Sequence, residues 1–197
     1  ARPIGELLRQ RPALAAGLAM VFGQLTMAML MVITPLHMKD HQHPLTHISF
    51  VISAHIVGMY AFSILSGRLA DRWGREPVIA TGAGILILAS LGATLSPQLV
   101  PLTLTLFLVG LGWNFCYVGG SSLLADQLSP VERARTQGFN DLLIGLSSAA
   151  GSLGSGIVFA AIGYGAMGIV AAAAAVVLLS LTAWLQIGRR MPTPSLP

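Results

Sequence analysis

Six apolar runs, each long enough to cross a bilayer, leave this chain little choice of fold. A hydrocarbon core about 30 Å thick takes roughly 20 residues of helix to cross. Runs of that size occupy approximately 12–36, 47–69, 77–96, 100–125, 137–162 and 165–187. A segment in lipid must satisfy its own backbone N–H and C=O groups, and runs of this length do so as helices. The expectation is an all-α membrane protein, 1–197 forming a single domain of six transmembrane helices. Pro12, Pro77 and Pro101 stand near the starts of runs, where a missing N–H costs least. His43-Pro44, Ser96-Pro97, Ser129-Pro130 and Gly163-Tyr164-Gly165 mark turns between them. Arg9 and Arg11 ahead of the first run imitate a signal peptide, but the run outlasts an h-region of roughly 7–15 residues.

Composition excludes a soluble fold. The chain is 54% hydrophobic and 9% charged, against roughly 25% charged in a soluble domain. Lipid must therefore solvate most of its surface. The net charge of +4 is no nucleic-acid footprint, because the basic residues stand singly or in short groups between apolar runs. Cys116 is the one cysteine, so no internal disulfide forms. A first residue other than Met reads as a piece of something longer.

Lys and Arg set the orientation. With six spans, one side collects Arg2, Arg9, Arg11, Arg68, Arg72, Arg75, Arg133, Arg135, Arg189 and Arg190, and the other only Lys39. Both termini are expected in the cytoplasm. Runs 3 and 6 carry no charge, whereas runs 1, 2, 4 and 5 hold Gln24 and Thr26, Ser53 and His55, Asn114 and Ser121, and Asn140 and Asp141. Runs 3 and 6 should face lipid and the others a polar interior or a partner, the division a three-plus-three inverted repeat produces. Run 5 is rich in small residues, Gly145, Ser147, Ser148, Gly151, Gly154, Ser155 and Gly156, that let another helix come close.

Between runs 2 and 3 stands Gly67-Arg68-Leu69-Ala70-Asp71-Arg72-Trp73-Gly74-Arg75-Glu76-Pro77. Gly67 spares a side chain where a neighbour must approach, and Gly74 permits a tight turn. Asp71 can cap a helix N-terminus, a contact that contributes about 0.3–1 kcal/mol. Arg72 and Arg75 can pair with acids such as Asp126 or with lipid phosphates. The loop resembles the cytoplasmic motif of the major facilitator superfamily, Gly-x-Leu-Ala-Asp-Arg-x-Gly-Arg followed by basic residues, and departs from it at Glu76. In that family the loop latches two six-helix halves in the outward-facing state, which implies that Asp71 caps a helix of the other half. Asp126 through Asp141 resembles the loop between the fourth and fifth helices of the family's C-terminal half, with Ser129, Pro130 and Glu132 starting a helix. Ile4–Arg11 is similar to the linker helix before the seventh span, and run 5 lacks the Pro-containing Gly-rich antiporter motif. The resemblance thus implies the C-terminal half, whose partner is an N-terminal six-helix half or a second copy of the chain.

Among candidate residues, His55 lies deep in run 2 and exchanges protons near neutral pH. It reads as a proton carrier or substrate ligand, or as a neutral histidine bonded to a neighbouring helix. Asp141 with Asn140 lies near the cytoplasmic end of run 5, as a coupling acid, a solvated interfacial acid, or a partner of Arg133, Arg135 or Arg75. Gln24, Thr34, Asn114, Tyr117 and Ser121 lie on helices that line the cavity in the resembled family. His37, His41, His43 and His47 crowd the loop between runs 1 and 2, where short His-rich tracts can bind metal. Their spacing fits no particular site, and a solvated loop is the default.

The resulting expectation is half of a secondary transporter in the cell inner membrane, moving a small solute by alternating access in proton-coupled efflux. No cofactor is expected. Nor is an enzyme: Gly119-Gly120-Ser121-Ser122 imitates a rhomboid protease serine, but every histidine lies between 37 and 55. The alternative is a non-transporting six-helix scaffold or receptor module.

Overall fold

The computed structural model describes residues 2–187. Arg189 and Arg190, part of the charge bias above, lie outside the described residues. Every described element is helical: α1 (Ile4–Arg9), α2 (Arg11–Asp40), α3 (Leu45–Tyr60), α4 (Ser63–Trp73), α5 (Arg75–Gly92), α6 (Leu99–Asp126) and α7 (Pro130–Ile187). Five stretches are long and apolar enough to cross a membrane: Arg11–Asp40, Leu45–Trp73, Arg75–Gly92, Leu99–Asp126 and Pro130–Leu185. The last contains both expected runs 5 and 6. A straight helix of its 58 residues would extend about 87 Å, but the backbone breaks at Gly163 (φ 83°, ψ −179°). An L side chain rarely adopts that positive φ, and the Gly-Tyr-Gly sequence supplies the one residue that does.

Helix α6 is the hub, because its glycines let three neighbours approach its backbone. A Cβ at Gly110 would lie 2.3 Å from the His55 carbonyl of α3, and one at Gly112 2.8 Å from Leu86 of α5. On the α2 side, a Cβ at Gly120 would lie 3.0 Å from the Ala16 carbonyl. Helices packed this closely gain dispersion contacts that lipid tails cannot match. The first arm of α7 runs alongside α2 in the same direction, with Gly17 against Asn140 and Gln24 bonded to Ser148, and just past the break Tyr164 bonds Thr34. Its second arm meets α5, where Gly168 faces Ser90 and Thr94.

Two ends of the bundle differ in chemistry. At one, Arg2 reaches Glu132 and Arg75 reaches Asp126. At the other, His37 stacks on Tyr164 and His43 meets the Pro97 carbonyl. The described arginines of the expected cytoplasmic loops therefore gather at one end, and Lys39 stands at the other.

The stretch expected as one span at 47–69 is two helices, α3 and α4, interrupted at Ala61 and Phe62. No Pro or Gly stands at the break. A side chain inserts there instead: Asn114 Nδ2 donates to the Met59 carbonyl (2.7 Å) and to Ser63 Oγ (2.9 Å), and Ser66 Oγ donates to Asn114 Oδ1 (2.7 Å). Taking a carbonyl out of the i→i+4 ladder in this way is a recognised cause of kinks.

Candidate functional site

The polar residues of α2, α6 and α7 meet on one face. Trp113 Nε1 donates to Gln24 Oε1 (2.8 Å), and Gln24 Nε2 donates to Ser148 Oγ (3.2 Å). Gln24 thus uses both ends of its amide to join three helices. Trp113 stacks on Tyr117 with centroids 4.9 Å apart, and Tyr60 stands edge-on to it at 6.2 Å. The three rings form an aromatic ladder across the face, in the offset and edge geometries that ring quadrupoles favour.

Tyr117 opens onto a cavity of about 200 Å³, lined also by Met20, Ser121, Gln137, Asn140 and Asp141. Asn140 is buried with Nδ2 3.4 Å from Met20 Sδ. Asp141 is exposed, and among the described residues no ion pair reaches it. The pairing weighed for it with Arg133, Arg135 or Arg75 is not made. This cavity offers hydrogen-bond donors and acceptors, one carboxyl group and an aromatic wall. It can orient a small polar solute and exchange a proton with it.

Other expected residues lie elsewhere. His55 is buried between α3 and α6, and its Nδ1 donates to the Leu106 carbonyl (2.9 Å) while Nε2 has no partner. Asn114 sits under the α3–α4 break rather than on the open face. The four loop histidines form two pairs. His37 and His41 have ring centroids 4.3 Å apart, and His43 and His47 5.7 Å. Among the described residues no group of three or more His, Cys, Asp or Glu side chains gathers as metal ligands.

The family model of the Major Facilitator Superfamily matches residues 16–196. The chain belongs to that superfamily. It is 37% identical over 167 residues to the MFS-type transporter YdeG of Bacillus subtilis (strain 168), covering 84% of this chain and 39% of that protein. It is 30% identical over 143 residues to the riboflavin transporter RfnT of Brucella anthropi, covering 73% of this chain and 36% of that one. The crystal structure of the POT family transporter PepTSo superposes with a TM-score of 0.75 at 17% identity, over 95% of this chain and 39% of that chain. The chain thus spans about two fifths of the relatives it matches. This superfamily comprises multi-pass membrane transporters, not enzymes.

Within this superfamily member the loop between α4 and α5 is largely paired with itself. Arg75 Nη1 donates to Asp71 across the Gly74 turn, and Arg75 Nε donates to Asp126 at 3.2 Å. Arg75 therefore ties the start of α5 to the end of α6. Gly74 takes φ 98° to make the turn. A Cβ at Gly67 would meet nothing within 4 Å. The close approach expected at Gly67 is thus not to any described element of this chain. Asp71 and Arg72 are exposed.

Run 5 packs closely on α2 at only one of the glycines named for it, among the described residues. A Cβ at Gly151 would lie 3.0 Å from the Leu25 carbonyl of α2, whereas one at Gly145, Gly154 or Gly156 would meet nothing within 4 Å. Residue-by-residue reading missed Trp113, Tyr60 and Gln137. A signal was present: Trp113 precedes Tyr117, and Gln137 precedes Asp141, by one helical turn each, so both pairs share a face.

Proposed function

We propose that this chain is the C-terminal six-helix half of a secondary active transporter, with the two arms of α7 as its fifth and sixth spans. Three observations support six crossings: the break at Gly163, a length near three bilayer thicknesses, and the second arm's contact with α5. The arginine-rich end is then cytoplasmic by the positive-inside rule. A small solute would bind between the face of Gln24 and Tyr117 and a second six-helix unit, with Asp141 toward the cytoplasmic end. Alternating access would follow from rocking of the two units.

The observation that carries this reading is the open polar face itself. On that face Asp141, Gln137 and Tyr60 are exposed and Tyr117 is half-buried, an expensive arrangement against lipid and a sensible one around an aqueous passage. The ladder favours a flat solute with ring heteroatoms. A relative named for riboflavin transport is consistent with that class.

Asp141 is the group placed to couple protons, and the direction proposed is efflux by proton antiport. His55 is assigned a positioning role between α3 and α6. In the latch, Asp71 and Gly67 would meet the partner unit, with Arg75 and Asp126 holding the loop in place. The test is transport in vesicles carrying the chain together with its second six-helix unit. Asp141→Asn should abolish transport driven by a pH gradient while leaving solute exchange. Unchanged pH-driven transport would remove Asp141 from the coupling path.

A further inference from the structure

We propose that His43 and His47 form a two-histidine site for a late first-row divalent cation of the Zn(II) and Ni(II) class, at the histidine-bearing end of the bundle. Their Nδ1 atoms face each other 3.4 Å apart, too far for a strong hydrogen bond. A cation about 2.0–2.1 Å from each nitrogen, the usual zinc–imidazole distance, would see this 3.4 Å pair at about 110°, the tetrahedral angle.

The tautomer of the neutral His43 ring is already set. Its Nε2 lies 2.8 Å from the Pro97 carbonyl. A carbonyl only accepts, so Nε2 carries the proton and the neutral ring presents a lone pair at Nδ1. Ligating histidines are typically oriented in this way, with the far ring N–H held by a backbone carbonyl or a carboxylate. His47 lies in the first turn of α3, its backbone N–H bonded to the Pro44 carbonyl (3.0 Å), which fixes its Cα against that of His43. On binding, the proton between the two rings leaves Nδ1 of His47, and its Nε2 takes up the N–H. The N-terminal end of α3 adds a positive field at this position. The same field opposes a cation, and binding rests on two coordinate bonds with water completing the shell. Both histidines are half-buried and reachable from solvent.

His37 and His41 are held differently. The His37 ring lies flat on Tyr164, 3.9 Å away with planes 6° apart, and His41 Nδ1 is taken by the His37 carbonyl at 2.9 Å. A cation on the other pair would also strengthen the tie between the start of α3 and the α5–α6 loop through Pro97.

The experiment is titration calorimetry of Zn(II) into the full chain, purified in detergent without a histidine tag. One saturable site per chain is expected. His43→Ala and His47→Ala should each weaken it at least tenfold, and His41→Ala should leave it within twofold. His47→Gln, with circular dichroism matching the parent, separates lost ligation from lost folding and should also weaken binding tenfold. No saturable binding by the parent chain, binding that survives both alanine variants, or binding lost with His41→Ala would overturn the site.

Discussion

His55 and Asp141 are a histidine and an aspartate placed in apolar runs of similar appearance, and the fold treats them in opposite ways. His55 is sealed where α3 and α6 cross closely enough that neither Gly58 nor Gly110 could carry a Cβ without striking the other's backbone. Asp141 stands exposed at the mouth of a cavity, with Tyr117 and Asn140 beside it. Depth in the sequence is therefore a poor guide to access. A titratable group takes part in proton exchange when water or solute can reach it, and a close helix crossing denies that. The sealed region should report on stability and the open one on function.

The hardest blow to the sealed region is Gly110→Val. The obstacle is backbone, so α3 and α6 must part. We expect a loss beyond about 3 kcal/mol, at the upper end of overpacking effects, read as a drop of about 6 °C or more in Tm of the detergent-solubilised chain. Next comes Asn114→Ala, which takes the Asn114 amide from the Met59 carbonyl and the Ser63 hydroxyl and leaves Ser66 Oγ only the Ser63 carbonyl. About 1–2 kcal/mol is expected for buried groups so abandoned. A fall in proton-coupled transport with unchanged Tm would mean that the α3–α4 break acts in the cycle and not in stability. His55→Gln should cost about 0.6–1.5 kcal/mol, in the range of single interhelical hydrogen bonds, and leave pH-driven transport intact. Loss of that transport in a fully folded His55→Gln protein would move the proton path to the α3–α6 seam and break the comparison. Smallest in stability is Asp141→Asn, a surface change expected within about 0.5 kcal/mol. A Tm drop of several degrees there would show that Asp141 is structural after all.

Much of this division could not be seen in the chain alone. Apolar runs, basic loops and the Gly67–Pro77 loop were legible because hydropathy and turn chemistry are local. The Gly163 break was foreshadowed by Gly-Tyr-Gly for the same reason. The α3–α4 break was not, since its cause is Asn114, some fifty residues on along the chain. Likewise Gln24 reads as one polar residue among many until Trp113 and Ser148 arrive from two other helices. His55 was open to two readings because run 2 gives the depth of a side chain but not what stands opposite it. Gly110, the residue that decides the matter, lies on another helix.

The grip of Arg2 has a mechanical consequence. Its backbone N–H and guanidinium hold Glu132 through both carboxylate oxygens and the Gln127 carbonyl, and Glu132 Oε2 in turn accepts from Ser129 N (3.0 Å) and Oγ (2.8 Å). A pull on residue 2 is thus delivered to the turn between α6 and α7 before it can unwind the six-residue α1. That turn joins the hub helix to the arm carrying Asp141. The first residues of the chain are a load path, set to transmit tension into the two helices whose facing side chains line the cavity.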